Sequence, residues 1–188
     1  DSDDFVSETM YESLLHAVQK NEMEIAQVGR DEIDEQGNML PNICEPPKDV
    51  EEIAAATFVR ELLMHRGDCS FCTKLVSARL FADKQFPIGE LNEDFKLLMQ
   101  MLQETKGVVS LPEQSYHVFY RIGSNTRKKD KNEFSRVYMD CVRNADLAKE
   151  FIESMPGIDQ EYRKELRSIA LRFGIFQRLE YLLHIPIA

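Results

Sequence analysis

The sequence predicts an all-α protein: about eight short-to-medium helices in helical hairpins, packed as an orthogonal bundle or a short α-solenoid. Three observations lead there. Apolar residues recur at three-to-four spacing along most of the chain, a polar-x-x-Glu capping spacing recurs at several of the expected helix starts, and Gly or Pro stands at most junctions.

The clearest pattern lies between Pro46 and Lys84. Asp49 and Glu52 have capping-box spacing, Val50, Ile53, Ala54, Thr57, Phe58 and Leu62 form an apolar stripe broken by Glu61, and Gly67 suits a left-handed helix end. Asp68 then caps a second helix carrying Cys72, Leu75, Val76 and Leu80 along one side, which fades before Pro87. Upstream, Phe5, Met10, Leu14, Leu15 and Val18 mark a first amphipathic helix, and Asn21 with Glu24 opens a weaker one bearing Ile25, Val28 and Ile33. From Gly37 to Pro47 three prolines and no usable period read as a linker. The expected division is therefore an acidic helical segment with its linker at 1–45 and an all-helical domain at 46–188.

Downstream, Asn92 caps a helix with Phe95, Leu98, Met99 and Leu102 inward, closed by Gly107. Residues 111–122 fit both periods, since Tyr116, Val118, Tyr120 and Ile122 alternate like a strand while Leu111, Val118, Phe119 and Ile122 suit a helix. Helix is preferred because a lone strand lacks a partner. Four further helices are expected, marked by Phe134 to Val142, Leu147 to Met155, Asp159 to Phe173 with Asp159 as cap, and Ile175 to Leu183.

The chain of 188 residues carries a formal net charge of −10, distributed unevenly. Residues 1–52 hold 15 Asp or Glu against only Lys20, Arg30 and Lys48, while the remaining 18 acids face 20 bases. The acidic flank either solubilises the domain or docks on a basic surface. Docking would use Phe5, Leu14, Leu15 and Val18 as the apolar face. Arg127, Lys128, Lys129 and Lys131, flanked by Arg121 and Arg136, form the strongest basic cluster, a candidate binding surface for an acidic peptide or for nucleic acid. No window is apolar enough for a membrane span and no signal peptide opens the chain, so a cytoplasmic or nuclear protein without membrane contact is expected.

Catalytic motifs are sparse: no Gly-rich phosphate loop, HExxH, GxSxG or EF-hand pattern occurs. Cys69 and Cys72 are the one cysteine pair close enough for thiol chemistry. Gly67-Asp68-Cys69-Ser70-Phe71-Cys72 resembles the redox turn of the all-helical alkylhydroperoxidase-D-type proteins, which implies thiol-disulfide exchange at Cys69 and Cys72. That family has a histidine four residues after its second cysteine, where this chain has Val76. Val109-Ser110-Leu111-Pro112 after a CxxC also resembles the arrangement in thioredoxin-like proteins, whose fold has a strand entering the first cysteine. His65, Cys69 and Cys72, with Cys44 as a fourth ligand, make a candidate zinc set, and buried structural thiols are the plain alternative. His16, His117 and His184 have no Cys or Ser partner at catalytic spacing in the sequence.

With so little chemistry in view, the sequence points to a non-catalytic helical interaction or scaffold module. It would bind a helical or acidic peptide from a protein partner, or associate as a homodimer, without a cofactor. The alternatives are a thiol oxidoreductase or a nucleic-acid-binding adaptor built on the basic loop.

Overall fold

A computed structural model describes residues 3–120 and 135–185. The fold is mixed α/β, which overturns the all-α expectation, and with it both the orthogonal bundle and the solenoid. In chain order the elements are β1 (Phe5–Val6), α1 (Met10–Asn21), β2 (Ile25–Ile33), β3 (Glu51–Ala54), α2 (Ala55–Leu63), β4 (Lys74–Val76), α3 (Glu93–Met101), β5 (Gly107–Phe119), α4 (Val137–Ser154) and α5 (Gln160–Leu183). Short 3-10 turns occupy Phe71–Thr73 and Ala78–Phe81. The chain divides into two compact units, Asp1–Lys84 with Glu104–Arg121, and Gln85–Gln103 with Ile122–Ala188.

The first unit is a five-stranded sheet in the order β1-β5-β2-β4, with β3 also paired to β5. β2 and β5 run parallel, while β1, β3 and β4 are antiparallel to their neighbours. Consecutive buried residues Ile25, Ala26, Gln27 and Val28 explain why β2 escaped detection. A central strand covered on both faces loses the period-two alternation that marks a half-buried one. β5 likewise contains Pro112 and shifts register against β2 on both sides of Gly29, which breaks its alternation. The strand partners that residues 111–122 need exist in β1 and β2, while β3 pairs with the 107–110 end of β5.

The expected first helix forms only from Met10, its Phe5 end being strand β1 instead, and α1 packs on this sheet. Met10, Leu14 and Ala17 meet Ala26 and Val28 of β2 and Val109, Leu111 and Tyr116 of β5 in one apolar cluster, with Val18, Met23, Leu75 and Val118 at its margin. Met10 and Leu14 are fully buried, each worth about 1.5–3 kcal/mol relative to exposure. Across the sheet, the expected helix from Asp49 begins instead as β3, and only Ala55 onward is helical. Backbone approach sets this limit: a Cβ on Gly107 would lie 2.0 Å from the Ile53 carbonyl oxygen. Gly107 therefore opens β5 rather than ending a helix.

In the second unit, the four helices expected after residue 134 are two. Residues 137–154 form α4 without interruption, and α5 runs through Gly174. The main chain turns between them as Arg163 donates from Nη1 to Glu153 O (2.8 Å) and Ile152 O and from Nη2 to Met155 O (2.8 Å), capping the end of α4. Asp159 caps α5 as its sequence position implied, its Oδ1 accepting from Tyr162 N at 2.7 Å. Phe95 of α3 stacks on Phe173 of α5 with centroids 5.7 Å apart.

Two substitutions test these assignments. Gly107→Ala should lower stability by about 1–3 kcal/mol, because the added methyl meets backbone that cannot rotate away. Asp159→Ala should cost about 1 kcal/mol through loss of one cap. Urea denaturation followed by circular dichroism reads both; an unchanged midpoint for Gly107→Ala would contradict the β3–β5 pairing.

Candidate functional site

The parallel pair brings polar side chains together at its carboxyl end, the edge at which open α/β sheets bind ligands. Arg30 pairs in register with Tyr116, Asp31 with His117, Glu32 with Val118 and Ile33 with Phe119. β1 then lies against β5 on the other side, with Phe5 opposite His117 and Val6 opposite Tyr116. Asp4, just before β1, is held there by Tyr116 Oη at 2.7 Å and by the Phe119 N–H at 3.0 Å.

Beside this edge, the turn before β4 is folded around a charge cluster. Arg30 Nη1 donates to Ser70 Oγ at 2.8 Å. Asp68 accepts from Ser70 N and from Thr73 Oγ1, both at 2.9 Å. Lys74, only 6% exposed, donates from Nζ to the Asp68 and Ser70 carbonyls at 2.8 Å and to Thr73 Oγ1 at 3.3 Å, so its three donors all have acceptors. Burial opposes ionisation of Asp68, but the charges of Lys74 and Arg30 and the Ser70 hydrogen bonds outweigh it and hold the carboxyl below its ordinary 3.8. Cys44 and Cys72 sit in the reverse situation: burial, reinforced by the Asp68 carboxylate, pushes both thiols up. Burial and the hydrogen bond to Asp4 also push up the Tyr116 phenol.

Of the residues singled out in the sequence, Cys44 and Cys72 both come close to the Asp68 carboxylate. Cys72 lies in a 3-10 turn rather than at the start of an α-helix, so it lacks the helix dipole that would favour its thiolate. Cys44, Cys69, Cys72 and Cys141 form no disulfide. His65 adopts a left-handed conformation (φ 56°), and burial lowers its pKa. Among the described residues no group of three or more His, Cys, Asp or Glu side chains is placed to hold a metal ion. Of the expected docking face, Leu14 is in the core and Val18 at its margin, whereas Phe5 and Leu15 are about half exposed. Arg136 donates from Nη2 to Gly89 O at 2.6 Å, and Arg121, Arg127, Lys128, Lys129 and Lys131 lie outside the described residues. No helix among the described residues is long and apolar enough to cross a membrane.

Sequence reasoning missed Arg30, Asp31, Asp68, Lys74, Tyr116 and His117. Tyr116 and His117 lie in the segment that fits both periods; the others carry no local signal, because their partners are distant in sequence or sit in an irregular turn.

This sheet, polar at the carboxyl end of a parallel pair, makes the fold mixed α/β. Comparison with solved structures places it more narrowly. The chain is similar to residues 1–349 of S. aureus TarS in complex with UDP-GlcNAc, with a TM-score of 0.66 at 13% identity, covering 94% of this chain and 47% of that one. It is also similar to the same TarS region in complex with UDP (TM-score 0.62, 13% identity, 91% and 44% covered) and to a longer S. aureus TarS chain (0.60, 13%, 92% and 27%). The chain thus spans about half the length of TarS 1–349. No protein-family model and no curated protein matches it. The helical scaffold expected from the sequence is therefore corrected: the described residues form a mixed α/β fold, similar to that of a protein solved with a nucleotide sugar bound.

The Asp68 cluster makes its own prediction. A carboxyl whose folded-state pKa is lowered adds stability above its unfolded value and loses it as pH falls through the folded one. Asp68→Asn should therefore be markedly less stable than the wild type at pH 7, and the gap should close as pH drops below the ordinary carboxylate value of 3.8. Urea midpoints of both proteins across that range provide the check, and a gap independent of pH would contradict the charge assignment.

Proposed function

We propose that this chain forms part of a glycosyltransferase that moves a sugar from a nucleoside-diphosphate donor to an acceptor hydroxyl. The observation that carries the reading is the likeness over 94% of the chain to TarS with UDP-GlcNAc bound. In such a transfer the bond from the anomeric carbon to the diphosphate breaks, the acceptor oxygen bonds to that carbon, and the acceptor proton passes to a base. Negative charge grows on the departing diphosphate, so the protein must supply cations or aligned donors.

Two features of the chain support this demand. The carboxyl end of β5 runs directly in sequence into Arg121 and then Arg127, Lys128, Lys129 and Lys131, and we assign the diphosphate to these cations instead of to an acidic peptide or nucleic acid. The Arg30–Ser70–Asp68–Lys74 network forms a fixed polar support beside the strand ends, its groups already oriented by one another. Pre-oriented donors lose little entropy when a ligand arrives.

Isothermal titration with UDP and with UDP-GlcNAc tests the reading. The wild-type chain should bind UDP saturably, and R127A/K128A/K129A/K131A should weaken binding by about tenfold or more, with a shallower salt dependence. Absence of saturable heat with either ligand, or equal affinity in the quadruple variant, would contradict it.

A further inference from the structure

Ser7, His117 and Asp31 are distant in sequence and meet in a single line of hydrogen bonds. Ser7 Oγ lies 3.1 Å from His117 Nε2, and His117 Nδ1 lies 2.9 Å from Asp31 Oδ1. An ionised carboxylate can only accept, so in the neutral imidazole Nδ1 carries the proton and Nε2 is left to take the proton of the Ser7 hydroxyl. Accessibility follows the order such a relay requires. Asp31 is 8% exposed, whereas Ser7 and His117 are only partly buried. The Phe5 ring stacks on the imidazole with centroids 4.6 Å apart, which restrains its plane.

The main chain around Ser7 is fixed as well. Its N–H donates to Ser115 O at 2.9 Å, and its carbonyl accepts from Met10 N at 3.1 Å, the residue that opens α1. Thr9, the N-cap of α1, makes no side-chain cap hydrogen bond, and beyond Met10 the first-turn amides of Tyr11 and Glu12 follow the serine within a few residues. A nucleophile, a base bonded to it, a buried carboxylate orienting the base, and nearby amide donors are the components of acyl transfer.

We propose that Ser7, His117 and Asp31 form an acyl-transfer centre acting on carboxylic esters, independent of the sugar-nucleotide reading. Ser7 Oγ bonds to the ester carbonyl carbon as its proton moves to His117 Nε2. The developing oxyanion is met by amides of the first turn of α1. Collapse breaks the bond to the alcohol oxygen, and the alcohol leaves with the proton held on Nε2. Water then repeats the sequence on the Ser7 ester, releasing the carboxylic acid and restoring the hydroxyl. Asp31 stays ionised throughout and orients the ring.

A fluorophosphonate probe reads this centre without any natural substrate, since an activated serine displaces fluoride and keeps the phosphonyl group. The folded wild-type chain should acquire one adduct, mapped by mass spectrometry to Ser7, and should hydrolyse p-nitrophenyl acetate. S7A should lose both, and H117Q and D31N should slow labelling by about 100-fold or more. Urea-unfolded protein should not react. A folded wild-type chain that leaves Ser7 unlabelled overturns the proposal, whatever the variants do. So does labelling that is equal in H117Q with native circular dichroism, or that persists in urea, because a purely structural hydrogen-bond chain would give those results.

Discussion

The parallel pairing of β2 with β5 is the constraint on which the first unit depends. It joins residues 25–33 to residues 107–119, so nothing local in either segment reveals it. Once it forms, every other strand has an edge to join: β1 and β3 add to β5, and β4 adds to β2. It also creates the sheet surface on which α1 buries Met10 and Leu14. Because the two strands run in the same direction, their carboxyl ends coincide, and Arg30, Asp31, Tyr116 and His117 are brought into neighbouring registers.

Burial then determines what those side chains do. Lys74 is buried and Asp68 half-buried, which is tolerable because the three Lys74 donors all have acceptors and each Asp68 oxygen accepts a hydrogen bond. Desolvation and the neighbouring Asp68 charge raise the thiols of Cys44 and Cys72, so the cluster that favours the carboxylate disfavours the thiolates. Exposed pairs are of another kind. Arg79 grips Glu24 bidentately at 2.6 and 2.7 Å, yet both lie near solvent, where water screens the attraction and such a pair contributes little to stability.

What was legible in the sequence was the amphipathic part. α1, the Phe95–Leu98–Met99 stripe of α3, the Phe58–Leu62 face of α2 and the Asp159 cap all follow from three-to-four spacing and capping chemistry. The sheet was illegible because its central strands are covered on both sides and interrupted by register shifts, so a helical period could be fitted to residues that are extended. Gly174, the residue between the helices expected at Asp159 to Phe173 and at Ile175 to Leu183, misleads for a related reason. It reads as a helix end, but it is buried within α5, where a Cβ would come within 3.3 Å of the Arg178 Nη1. The candidate site was the least legible of all: Asp68 was read as a helix cap and His117 as an isolated histidine, and only the β2–β5 register supplies His117 with Asp31.

Backbone chemical shifts combined with native-state hydrogen exchange test the β2–β5 pairing most directly. Residues 25–33 and 107–119 should show extended-chain shifts, and the amides of Val28 and Val109 should rank among the slowest to exchange. Helical shifts across either segment, or exchange there as fast as at the ends of α4, would contradict the account.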